Sequence, residues 1–191
     1  PERKVMNKIQ IFFKGITEIV GGSNMGLLVL TNQLEDKQIA IVCDKIMVHE
    51  LNIRIGDNPI RHSLLPEVLC WLNSNIDSEH YEILFNSISD GQYKVVIINK
   101  ITYEMVPIRA SDAILLSKIA NIDIYMEEKL FIRQSVPYES GKSKVALPLN
   151  ALTLEMLEKA LRKAIKDENY ELASSIRDEL NRRKNSEERK K

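Results

Sequence analysis

A chain of 191 residues, 44% hydrophobic and 28% charged, is long enough to bury a real core and too apolar to be disordered throughout. Its 27 Lys and Arg balance 27 Asp and Glu, but unevenly: residues 1–150 carry 16 basic and 18 acidic side chains, and residues 151–191 carry 11 and 9. Without a basic excess in the first part, tight non-specific binding to DNA phosphates is disfavoured, and apolar runs as short as Leu27–Leu30 exclude a membrane helix of ~20 residues.

The N-terminal stretch has no apolar segment of signal-peptide type, and Pro1 points to a start at a removed upstream Met or at Met6. Two cysteines, Cys43 and Cys70, do not make a disulfide framework; free thiols buried among apolar neighbours, in a reducing cytoplasm, are the expectation.

In chain order, the β-branched and aromatic stretches Lys8–Phe13 and Ile16–Val20 read as two strands, and Gly21–Gly26 as a turn. Leu27–Thr31 and Gln38–Cys43 are the next strands. Asp44 caps a helix running to Arg54, with Ile46, Met47, Glu50, Leu51 and Arg54 at helical spacing. Gly56–Pro59 breaks the chain. Ser63 opens a helix with Pro66 in its first turn and Leu64, Leu65, Val68, Leu69 and Leu72 on an apolar face. Tyr81–Ser87 and Tyr93–Ile98 form a hairpin about Asp90-Gly91, and Thr102–Val106 adds another strand. Ser111 starts a helix to about Asn121, Ile122–Met126 is a strand, and Glu127–Arg133 is a short helix. Many antiparallel strands with few helices give an α+β domain over residues 1–135.

Residues 136–150, with Pro137, Gly141 and Pro148, read as a linker. Beyond it lies an antiparallel helical hairpin with a charged tail, residues 151–191. Asn150 or Thr153 caps its first helix, which carries Leu154, Leu157, Leu161, Ala164 and Ile165 on one face. Asp167–Asn169 interrupts the pattern, Tyr170, Leu172, Ala173, Ile176 and Leu180 resume it, and the tail from Asn181 is expected to fray.

The segment Leu157–Leu180 resembles the UVR motif, a helical hairpin first described in the B and C subunits of the bacterial excision-repair nuclease. Leu157-Glu158, the small Ala160 and Ala164, Tyr170-Glu171, Ala173 and Ile176-Arg177-Asp178 carry the resemblance; Leu161 and Ser174 stand where small residues are common. It implies binding to a protein partner, with Tyr170, Leu172, Ile176, Arg177 and Asp178 as contact residues. A lone helix pair buries little core, so a partner that completes it is physically reasonable.

The segment from Val106 to Leu116, built around Arg109-Ala110-Ser111-Asp112-Ala113-Ile114, followed by Ile122–Glu128, resembles the bifunctional nuclease family, whose members typically carry Arg-Pro-Ser-Asp-Ala-Ile there. Asp90-Gly91-Gln92-Tyr93 matches a further family motif, and Pro59, His62, Leu64 and Leu65 another; together they cover roughly residues 8–135. The resemblance implies a hydrolase acting on RNA or DNA. Asp112, Arg109 and His62 would be its catalytic residues, with Asp112 and Asp90 as ligands to Mg²⁺ or Mn²⁺. An Arg fork can bond two phosphate oxygens, and these hard ions prefer carboxylate oxygen. Where the family carries acidic residues, this chain has Pro107 and Ile108, Ser63 after His62, and Lys45-Ile46-Met47 at the first helix. Structural roles for the same residues are open: Ser111 and Asp112 suit a helix start, and Asp90 suits a tight turn. Two functions follow, a metal-dependent nuclease with an interaction arm, or a non-catalytic module recruiting a DNA-repair or stress-response partner. Exposed strand edges suggest a homo-oligomer.

Overall fold

The computed structural model describes residues 7–18, 25–56, 58–138 and 149–188. They divide into two compact units, Pro1–Ser89 with Tyr93–Val145, and Asp90–Gln92 with Ala146–Lys191.

The first unit is α+β. Strand β1 spans Lys8–Glu18, β2 Met25–Asn32, β3 Lys37–Asp44, β4 Tyr81–Ser89, β5 Gln92–Asn99, β6 Met105–Ile108, β7 Ile124–Glu127 and β8 Val136–Pro137. They make one sheet in the order β6-β5-β4-β7-β1-β2-β3-β8. Pairing is antiparallel for β1–β2, β1–β7, β2–β3, β3–β8 and β5–β6, and parallel for β4–β7. Helices α1 (Lys45–Ile55), α2 (Leu65–Leu72), α3 (Ala110–Ala120) and α4 (Glu128–Gln134) complete the unit.

Within the described residues, the two strands expected over 8–13 and 16–20 are one, Lys8–Glu18, and residues 19–20 lie outside the description. The register of β1 against β2 shifts between Phe13 and Gly15, so a bulge replaces the expected break. Most of the turn expected at Gly21–Gly26 lies outside the described residues, and β2 begins at Met25. Gly26 stands under α1, where an added Cβ would meet the Val48 side chain at 2.5 Å. Asp44 caps α1 as expected, its carboxylate accepting from Met47 N at 2.8 Å. The helix expected from Ser63 starts later: Pro59–Ser63 forms a 3₁₀ turn, and Leu64 stands at the N-cap of α2. Strand β6 starts at Met105 rather than Thr102, because Asn99 Oδ1 accepts from Ile101 N and Thr102 N and closes a loop there. Val136 and Pro137, the first residues of the stretch read as linker, form β8 against β3.

The core joins the sheet to α1, α3 and α4 through Leu28, Leu30, Ile39, Leu51, Ile83, Ile114, Met126 and Leu130. Phe85 packs edge-on against Tyr93, with ring centroids 5.7 Å apart. Cys43 is buried, and burial, with the neighbouring Asp44 charge, pushes its thiol up to about 11; Cys70 is only half-buried.

Arg54 ends the buried face of α1, its side chain 2% exposed. Its guanidinium donates to Glu50 Oε2 at 2.7 Å and to the Glu50 carbonyl at 2.8 Å, and pairs with both Glu67 oxygens at 2.7 and 2.8 Å. Burial opposes its charge, and the bonds from Glu67 and Glu50 outweigh that and raise its pKa. The cluster ties α1 to α2.

The second unit contains α5 (Leu154–Lys166) and α6 (Tyr170–Glu188), which pack as a hairpin. Thr153 caps α5, accepting from Met156 N at 3.3 Å. Leu157, Ala164, Ala173, Ile176 and Leu180 are buried. The tail does not leave the helix at Asn181: α6 continues to Glu188, beyond Arg182 and Arg183, which both hold Glu179. Arg183 also donates to the carbonyls of Leu149, Asn150 and Leu152, fixing the turn that leads into α5. Among the described residues no helix is long and apolar enough to cross a membrane.

Replacing Arg54 by Ala removes the buried guanidinium and leaves the half-buried Glu67 carboxylate without its counter-charge. Urea unfolding is expected to show a loss of roughly 3–5 kcal/mol, and a loss near zero would contradict the buried role.

Candidate active site at the start of helix α3

Helix α3 enters directly from the edge strand β6, with Arg109 as its N-cap residue in extended conformation and no side-chain cap bond. The role that Ser111 and Asp112 could have played, capping the helix, is therefore not what holds Asp112. Its carboxylate faces back one turn, where Arg109 Nε donates to Oδ2 at 2.5 Å and Nη2 to Oδ1 at 3.0 Å. The two side chains meet because residues three apart on a helix are neighbours. Arg109 is 70% exposed and Asp112 33% exposed. Hydrogen bonding to Asp112 raises the Arg109 pKa, Asp112's charge adds to this, and Asp44 contributes further. Asp44, the cap of α1, thus belongs to the same electrostatic neighbourhood, and α1 packs on α3.

His62 lies elsewhere. It is exposed on the 3₁₀ turn and lines a cleft of about 580 Å³ with Glu67, Val68, Cys70, Trp71, Ile76, Ile119 and Ala120. The α3 wall of that cleft is the last turn of the helix, about 11 Å along the axis from Asp112 at 1.5 Å per residue. Asp90 occupies the tip of the β4–β5 turn with φ +47°, the left-handed conformation that Asp tolerates in turns. Arg109 and Asp112 are thus brought together, and His62 is not brought to them.

The Asp112 carboxylate, the expected ligand to Mg²⁺ or Mn²⁺, is bonded to Arg109 in this structure. Both Asp112 oxygens hold the Arg109 guanidinium, so a cation already stands where the metal would, whereas a hard divalent ion wants several oxygens at about 2.0–2.1 Å. Among the described residues, the one group of three metal-ligand side chains with converging atoms is Asp77, Glu79 and His80, within 4.8 Å of one another. There Asp77 Oδ1 accepts from Glu79 N and His80 N, each at 2.9 Å, and meets His80 Nδ1 at 2.8 Å. The His80 bonds hold the Asp77 carboxyl below the usual range. Local spacing carried that group's only signal in the sequence. Nothing in the sequence placed Asp44 beside Arg109, since that proximity comes from the packing of α1 on α3.

On the UVR-like hairpin, Tyr170, Arg177 and Asp178 are exposed, Leu172 is half-buried, and Ile176 is fully buried. Tyr170 and Arg177, two turns apart, share one stripe of α6.

The model of the bifunctional nuclease domain matches residues 28–139, and that of the UvrB/uvrC motif matches residues 153–186. No curated protein matches the chain.

Because an exposed ion pair contributes only about 0–1 kcal/mol, Arg109→Ala and Asp112→Ala are each expected to leave the urea midpoint nearly unchanged. A large shift in either would mean that the pair holds the fold rather than serving a site.

Proposed function

The chain belongs to the bifunctional nuclease domain family, and on that basis we propose that its first unit hydrolyses phosphodiester bonds of RNA or DNA at the start of α3, with the UVR hairpin as a protein-interaction arm. The observation that carries this reading is the exposed, two-pronged Arg109–Asp112 pair.

A phosphodiester offers two non-bridging oxygens with the same spacing that Arg109 meets on Asp112, so the guanidinium can exchange one for the other. The positive end of α3 favours an anion at that place. Once Arg109 turns to phosphate, the Asp112 carboxylate is left without its partner beside the reacting phosphorus. It then accepts a proton from the attacking water while the new P–O bond forms and the leaving P–O bond breaks, and the leaving oxygen takes a proton from solvent. The arginine balances the charge that gathers on the phosphoryl oxygens. His62, which lines the cleft beside the last turn of α3, is given no role in this step. On α6, the Tyr170 and Arg177 stripe, with Leu172 and Asp178, supplies the surface for a protein partner, and the buried Ile176 supports it from within.

The alternative reading, a non-catalytic interaction module, draws on the mutual satisfaction of Arg109 and Asp112. The two are separated by incubating the purified protein with labelled single- and double-stranded RNA and DNA, with EDTA and with Mg²⁺ or Mn²⁺, beside folded Asp112→Ala and Arg109→Lys. Cleavage by the wild type, at least ~100-fold weaker in Asp112→Ala, is expected from the general-base contribution. Arg109→Lys keeps the charge and loses the fork, and should also be impaired. Cleavage by no form of the protein, or equal cleavage by all three, would sink the proposal.

A further inference from the structure

Trp71, the only tryptophan of the chain, is 81% exposed. An aromatic side chain of this kind commonly buries ~150–250 Å², so a large flat face is left uncovered. The ring stands on the wall of the cleft of about 580 Å³ between α2 and α3, whose apolar lining is Val68, Ile76, Ile119 and Ala120. Glu67 presents no unpaired charge there, since both its oxygens are held by Arg54. Burial, with the Glu67 charge, raises the Cys70 pKa and keeps that side chain a neutral thiol. The volume is that of a pocket for a small organic group, and the lining suits a flat, uncharged, aromatic one.

The cleft is in line with the start of α3. Asp112, Leu116 and Ile119 recur at i, i+4 and i+7 and are all half-buried, so one stripe of the helix runs from the candidate site to the cleft. Its length of about 11 Å matches about three steps of a stacked nucleic-acid strand at ~3.4 Å each. A strand with one phosphate on Arg109 therefore brings a base about three nucleotides away to Trp71. Charge alone holds such a strand poorly. Residues 1–150 carry 16 basic and 18 acidic side chains, so counterion release contributes little, whereas stacking on an aromatic face adds affinity that needs no phosphate contact.

We propose, on the reading of Arg109 as a phosphate clamp, that this cleft is a base-binding subsite for single-stranded nucleic acid, with one unpaired base stacked on Trp71 and its edge toward the exposed His62. A base inside a duplex has both faces covered by its neighbours and offers none to Trp71, so the subsite makes the protein select single strands. Trp71 holds the substrate away from the reacting phosphorus, equally before and during the chemical step. Its loss therefore raises KM and leaves kcat unchanged.

The test uses the full chain and the emission of Trp71, which no other tryptophan obscures. Titration with a short single strand of oligo-dA is expected to quench that emission saturably, and an abasic strand of the same length is expected not to. Trp71→Ala, folded by far-UV circular dichroism, should bind labelled oligo-dA roughly 5- to 150-fold more weakly by anisotropy, with KM raised in proportion and kcat unchanged. Trp71→Phe keeps a stacking face and should recover most of the affinity. Equal quenching by the abasic strand, or an unchanged affinity in Trp71→Ala, would overturn the proposal. So would quenching by free adenosine with none by the oligonucleotide, because the cleft would then be a small-molecule pocket. Base-dependent quenching without any cleavage would keep the subsite and remove the hydrolysis. Asp112-dependent cleavage with an unmoved Trp71 signal would keep the hydrolysis and remove the subsite.

Discussion

Four residues hold the sheet of the first unit together. Ile124–Glu127 bonds antiparallel to β1 on one side and parallel to β4 on the other, and so joins β6-β5-β4 to β1-β2-β3-β8. Ile124 and Met126 alternate into the core, where they meet Ile83 and Phe85, so the join is held by burial as well as by its ladder. Helix α3 leads directly to this strand. It ends on Asn121 in the left-handed conformation and is tied down by Ser117 Oγ donating to the Ile122 carbonyl at 2.6 Å. Because one end of α3 is fixed to the sheet junction and the other follows edge strand β6, the Arg109–Asp112 pair sits on a rigid element with an open front.

The buried Arg54 links this frame to the surface beyond it. By holding Glu67 it ties α2 to α1, and Leu65, Leu69 and Leu72 of the same helix are exposed.

Most strands of the first unit were legible from β-branched runs and from Asp90-Gly91, and the helix caps Asp44 and Thr153 from local chemistry. The Arg109–Asp112 pair was also within reach of sequence reasoning, because residues three apart at a helix start are neighbours. Three features were not legible, each for a physical reason. The bulge in β1 depends on its register with β2, which no local pattern records. The apolar period of α2 reveals a face but not what covers it, so an outward stripe looks the same as an inward one. His62 stands in a family-like motif, yet its side chain faces the far end of α3, a separation set by tertiary packing.

The central claim is that Arg109 exchanges the Asp112 carboxylate for a phosphodiester. The Nε–H correlation of Arg109, identified by its loss in Arg109→Lys, reports this directly in a two-dimensional nitrogen–proton spectrum of the labelled protein. On titration with a single-stranded oligonucleotide the signal should move saturably, and the same titration of Asp112→Asn should start from an already displaced position. An Arg109 signal that stays in place while other resonances follow the oligonucleotide would put the nucleic acid elsewhere on the protein and contradict the account.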